Sequence, residues 1–178
     1  MDIVLIVFLT LFNGMFAMSE MAQASSRKAL LMAQAQEGVP GAQAALDLQL
    51  RPTEFLSTIQ IGITTLGVLN GIIGEAAFSQ GVSQWLVDMG ISQVLASVLA
   101  TTLVVTLITL NTILFGELVP KRIGQIYPET VARWTAPLML LLSMLARPLV
   151  HALSVSTAAV LRLLGIDLDK VRQVTEEE

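Results

Sequence analysis

Charged residues punctuate this chain rarely, and the gaps between them predict its architecture. Three stretches contain no Asp, Glu, Lys or Arg: Ile3–Ser19, Phe55–Gly74 and Ile91–Gly116. A helix crosses the roughly 30 Å hydrocarbon core of a bilayer with about 20 apolar residues. The second and third stretches meet that length, and the first meets it once the helix continues a few residues past Ser19. Three spans are therefore predicted, over about 3–24, 53–76 and 91–118. Between the first two lies "SSRKALLMAQAQEGVPGAQAALDLQLRP", rich in the good helix formers Ala, Gln and Leu. "EGVPG" interrupts it, with Gly38 placed as a helix stop and Pro40 just after. A pair of short helices is predicted over 26–51.

The pattern changes after residue 128. The uncharged run "WTAPLMLLLSMLA" between Arg133 and Arg147 makes a helix of roughly 20 Å, short of the bilayer core. The next run, from Pro148 to Arg162, is no longer. Belt helices lying at the membrane interface are predicted over 129–164, with Trp134 and the arginines at headgroup level. Pro137 and Pro148 are expected to bend them. The closing "VTEEE" reads as the start of a linker, 166–178, toward further soluble domains.

Composition agrees with an all-α integral membrane protein. Of 178 residues, 54% are hydrophobic and 13% charged, and mean hydropathy is +0.73, which leaves too little charge to coat a soluble domain. A cleaved signal sequence is disfavoured by Asp2 and the lack of a basic n-region. Cysteine is absent, which excludes disulfides and thiolate metal sites. No zincin motif, Ser–His–Asp set or Gly-rich phosphate loop is present, so no enzyme is expected, and no nucleic-acid partner. The ten basic residues fall only between the first and second spans and after the third. None precedes the first span and none lies between the second and third. All stand on one side if the N-terminus is outside and the C-terminus cytoplasmic, as the bias of basic loops toward the cytoplasm requires.

Candidate chemistry gathers in "FGELVPKRIGQ", residues 115–125. Pro120 has no backbone N–H, so the carbonyl four residues earlier loses its helical partner. That carbonyl belongs to Gly116, beside the Glu117 carboxylate. Two oxygens of different kinds then meet near the inner end of span three, an arrangement that suits hard cations. The plainer alternative is that Glu117 pairs with Lys121 at i+4. Other polar groups inside the spans are Asn13, Ser19 and Glu20 in the first, Thr64, Thr65 and Asn70 in the second, and Asn111 among the threonines of the third. Helix–helix hydrogen bonding is the alternative role of the three asparagines. Glu20 either pairs with Arg27 or Lys28 or lines a cavity mouth. Gly67, Gly71 and Gly74 share one helix face; packing or a dimer seam is the simple reading, close approach to an ion the sharper one.

"NGMFAMSEMA", "QIGITTLGVLNGIIGEAAF" and "FGELVPKRIG" together resemble the membrane domain of the CorB/CorC/cyclin-M family, also called DUF21, over nearly the whole chain. The resemblance implies a homodimer of three-span protomers in the bacterial inner membrane, each with a cytoplasmic helix pair and a belt helix. It implies that a CBS-domain pair, able to bind adenine nucleotides, follows the membrane domain. It also implies a Mg²⁺ ion held among the spans by Gly116 and Glu117, with Ser and Asn groups of the first two spans; Asn13, Ser19 and Thr65 are the candidates, and Pro120, Glu20, Asn70 and Asn111 support them. Three positions depart from the pattern of many relatives. Asn13 and Ala17 stand in place of serines, and Gly67 aligns where magnesium-type members often carry asparagine. The chain is accordingly more similar to the hemolysin-labelled bacterial branch.

Three functions follow as expectations. The first is a Mg²⁺ exporter, with exchange for Na⁺ as its coupling. The second is an exporter of polyamines or other organic cations, paired with Glu20 and Glu117. The third is a membrane anchor or sensor for cytoplasmic domains, with no transport.

Overall fold

The computed structural model describes residues 1–164; the expected linker over 166–178 lies outside the described residues. The described chain is helical, without strands. It runs α1 (Asp2–Ser25), α2 (Lys28–Gln36), α3 (Ala42–Gln49), α4 (Pro52–Asp88), α5 (Gln93–Ile113), a π turn (Leu114–Leu118), α6 (Val119–Ile126) and α7 (Pro128–Leu163). Four helical stretches are long and apolar enough to cross a membrane: α1, α4, the continuous Gln93–Ile126 stretch, and α7.

α1 is the central helix. It packs against α4 on one side and against the π turn and α6 on the other, and it also meets α7. Its most apolar window is 39% buried, against 11–17% for the other three stretches, so the others wrap around it. Phe16, Ala17 and Ala22 anchor its buried face. α4 and α5 form a long hairpin. The α2–α3 pair sits at the end of the bundle where α1 finishes and α4 begins, and α3 rests on α7.

The turn between α2 and α3 follows from its glycine. Gly38 has φ +73°; Val39 N–H bonds Gln34 O at 2.9 Å and Gly38 N–H bonds Ala35 O at 3.1 Å, closing the last α2 carbonyls in a Schellman motif. The same device sits at Gly90, φ +92°, and corrects one expectation. α4 does not stop near residue 76 but runs on to Asp88, and Gly90 then turns the chain.

A second correction concerns the belt. No break divides residues 129–164: Pro137 and Pro148 both lie inside one 36-residue helix. Only its first half is packed, through Val131, Ala132, Thr135, Ala136, Met139 and Ser143. Reading the arginines and prolines as boundaries made two short pieces of one long element.

Candidate functional site: a cavity beside a π turn

Pro120 removes an N–H from the third apolar stretch, and the helix answers with a π turn in which Val119 N–H reaches back to Leu114 O. π turns inside α-helices recur at functional sites. The Gly116 carbonyl beside the turn points into the protein. There it accepts the Asn13 side-chain amide at 2.9 Å, a buried bond between α1 and the π turn. The Gly116 oxygen thus has a side-chain donor already. Asn13 is only 2% exposed, and its other polar atom, Oδ1, is buried with no partner.

Next to this bond lies a cavity of about 210 Å³. Asn13 borders it from α1, Gly67 and Gly71 from α4, Thr109 and Thr112 from α5, and Glu117 from the π turn; three isoleucines complete the wall. Neither Gly67 nor Gly71 has any atom within 4 Å of where a Cβ would stand. They widen the cavity and make no close helix contact within the described chain. Gly74 differs, because a Cβ there would lie 2.6 Å from the Ile108 side chain.

Asn70, 1% exposed, ties the wall together. Its Nδ2 donates to Thr10 Oγ1 at 2.8 Å and to Thr112 Oγ1 at 2.9 Å, joining α4 to α1 and α5. Its Oδ1 is also buried without a partner. Glu117 Oε1 accepts a hydrogen bond from Lys121 at 2.9 Å, the i+4 pair that the spacing allows. Lys121 also reaches Glu20 Oε2 at 3.3 Å. Glu20 therefore pairs with Lys121, and not with Arg27 or Lys28, and it borders two further cavities of about 730 and 390 Å³. Sequence spacing could not reveal this contact, since Glu20 and Lys121 belong to different helices.

Three sequence candidates lie elsewhere. Ser19 is fully buried, but its oxygen accepts the Thr135 hydroxyl of α7 at 3.0 Å. Thr65 and Asn111 are exposed on the outer faces of α4 and α5. None of the three lines the cavity: Ser19 faces α7, and the other two lie on exposed faces. The cavity residues that the sequence reading left among ordinary helix threonines are Thr109 and, one residue past Asn111, Thr112. The pairing of Thr112 with Asn70 is a tertiary fact that no local signal announces.

The chain matches the cyclin M transmembrane N-terminal domain over residues 4–178. It belongs to the cyclin M transmembrane family. Among curated relatives, a UPF0053 protein of Synechocystis is 42% identical over the whole chain, which covers 40% of that protein. The polyamine export protein of Salmonella typhimurium is 36% identical over 99% of the chain and 39% of its own length. The polyamine export protein of Escherichia coli K12 is 42% identical over 74% of the chain and 29% of its length. The chain spans about two fifths or less of these relatives. As a cyclin M membrane domain it brings its cavity, π turn and carboxylates within one set of apolar helices.

Proposed function

We propose that this chain is the membrane domain of a cation transporter and that the cation's place is the cavity beside Glu117. One observation carries the reading. A cavity of about 210 Å³ between apolar helices is bordered by a carboxylate, two threonines and a buried asparagine with an unpartnered oxygen. Ionisable groups among spans are costly and mark ion pathways, and broken helices expose the backbone near them.

The favoured cargo is an alkylammonium such as a polyamine. Glu20 and Glu117 already share one ammonium, that of Lys121, and relatives named polyamine export protein support the same class. Mg²⁺, with Na⁺ as its coupling ion, is the second reading, and the unpartnered Asn13 oxygen favours it because hard cations take oxygen ligands. The alkylammonium reading fits the donor set better. Gly116 O already accepts Asn13, and among the described residues no group of three or more His, Cys, Asp or Glu could hold a metal. Transport, not catalysis, is the activity proposed.

The topology proposed with it has three spans, with α7 as a belt. Arg27 pairs with Glu129 and Glu54 with Arg147. Arg27 and Glu54 flank the α2–α3 pair, at one end of the bundle. Yet 18 residues of helix, about 27 Å of rise, separate their partners on α7. A helix with both partners at one depth runs along the membrane surface. The basic residues at that end make it the cytoplasmic side of the bacterial inner membrane. A homodimer would cover the exposed Asn111, and adenine nucleotide would bind only in a following CBS region.

The test is thermal stability of the purified protein with spermidine, Mg²⁺, Ca²⁺ or Na⁺, beside Glu117→Ala. A ligand at 100 times its Kd stabilises by about 2.7 kcal/mol. Spermidine should raise the wild-type melting temperature and leave the variant unmoved. A shift with Mg²⁺ alone favours the second reading, and no shift with any cation favours a membrane anchor.

A further inference from the structure

Lys121 bridges two carboxylates that border different cavities. Its Nζ is 2.9 Å from Glu117 Oε1 and 3.3 Å from Glu20 Oε2. Glu117 borders the small cavity of about 210 Å³. Glu20 borders the cavity of about 730 Å³ between α4 and the second half of α7, and another of about 390 Å³ beside the α2–α3 pair. The three side chains are 28%, 29% and 36% exposed for Lys121, Glu20 and Glu117, so none of them is sealed inside the bundle. An ordinary i,i+4 pair would need Glu117 alone. Glu20, from a different helix, gives the nitrogen a second carboxylate. On the small cavity's wall, the nine-tenths-buried Asn13 holds out an oxygen with no donor.

We infer that Lys121 is a tethered stand-in for the cargo: its ammonium occupies the place between Glu20 and Glu117 that a passing alkylammonium takes, and the cargo displaces it to move between the large and small cavities. The inference rests on reading the site as a cation site. A lysine head and a primary ammonium are the same chemical group, three N–H donors on one positive nitrogen. With the site empty, Lys121 keeps two carboxylates from facing each other unpaired among apolar helices. The tether also sets selectivity. A group on a short flexible stem competes at an effective concentration on the order of millimolar, which a weakly held monoammonium does not overcome. A molecule with two or three ammonium groups engages Glu20 and Glu117 together and releases Lys121 to swing toward water on its four-carbon stem.

The test is equilibrium binding of spermidine and of butylamine to the purified wild-type protein, Lys121→Gln, Lys121→Arg and Glu117→Gln. Removing the tethered competitor should tighten butylamine binding at least about tenfold, which is about 1.4 kcal/mol, and narrow the preference for spermidine. Lys121→Arg should keep the wild-type preference. Amine binding seen only in Lys121→Gln would also support the inference, as an unmasked site. If spermidine binding depends on Glu117 but Lys121→Gln binds both amines no better than wild type, Lys121 is a structural pair and the inference falls while the cation reading stands. If neither wild type nor Lys121→Gln binds any amine, both fall. A second readout needs no mutation. Fully N-methylated spermidine, which cannot itself be acylated, should raise the rate at which an amine-selective reagent acylates Lys121 in the wild-type protein, followed by mass spectrometry. An unchanged rate at saturating ligand overturns the displacement.

Discussion

Two sets of glycines face the helix bundle, and they do opposite things. Gly14, Gly116 and Gly124 line the seam between α1 and the π turn with α6. A Cβ would lie 2.9 Å from Pro120 Cγ at Gly14, 3.1 Å from Asn13 Nδ2 at Gly116 and 2.5 Å from the Met18 carbonyl at Gly124. Small residues here let helices approach until backbone meets backbone. Gly67 and Gly71, on α4, meet nothing within 4 Å and open onto the cavity beside Glu117. One set removes side chains so that helices touch, the other so that something else fits. The close seam holds the π turn and Glu117 in place, and the open face leaves the room that the proposed cargo would take.

The contrast breaks most sharply at the seam. Gly124→Ala drives a methyl into the Met18 carbonyl, and backbone cannot give way as a side-chain end can. The expected loss is about 1–3 kcal/mol of stability, read as a lowered melting temperature in detergent. A neutral result would mean that the seam is looser than its distances.

Asn13→Ala comes next. It strips the donor from the buried Gly116 carbonyl, at a cost of about 1–3 kcal/mol for the unsatisfied group. It should also enlarge the cavity and weaken cation binding, so stability and binding fall together. Asn70→Ala removes two interhelical bonds. Bonds between membrane helices average about 0.6 kcal/mol, so roughly 1 kcal/mol is expected in the same melting experiment.

The smallest effect on stability is expected at the open face. Gly67→Ala meets no neighbour and replaces a poor helix former by a good one, so stability should hold or rise by up to about 1 kcal/mol. Its binding of spermidine should still weaken, because the methyl enters the cavity. Loss of stability there with unchanged binding would erase the distinction between the two glycine faces.

Much of this was legible in the sequence, because much of it is local. Uncharged runs marked three of the four helical stretches long and apolar enough to cross a membrane, Gly38 marked the end of α2, and Pro120 marked the place where the α-helix gives way to a π turn. What the sequence hid is what depends on neighbours. The Gly67–Gly71–Gly74 face read as a packing stripe, yet only Gly74 meets a side chain, since spacing fixes a face and not what lies opposite it. Ser19 and Thr135 are buried together on α1 and α7, a pairing that no spacing signals. Glu20 found Lys121 across a helix gap, although Arg27 and Lys28 stood nearer in the chain. α7 stayed whole through both prolines, although only its first half is packed. Ion pairs from its two halves to the chain around α2 and α3 fix its course.

The central claim is that the space opened by Gly67 and Gly71 beside Glu117 holds the cation. The most direct measurement is the spermidine dissociation constant of the purified protein for wild type, Gly67→Leu and Glu117→Gln, with melting temperatures as the control for folding. The account predicts that both variants stay folded and both lose binding, one because the cavity is filled and the other because its charge is gone. Folded variants that bind spermidine as tightly as wild type would contradict it.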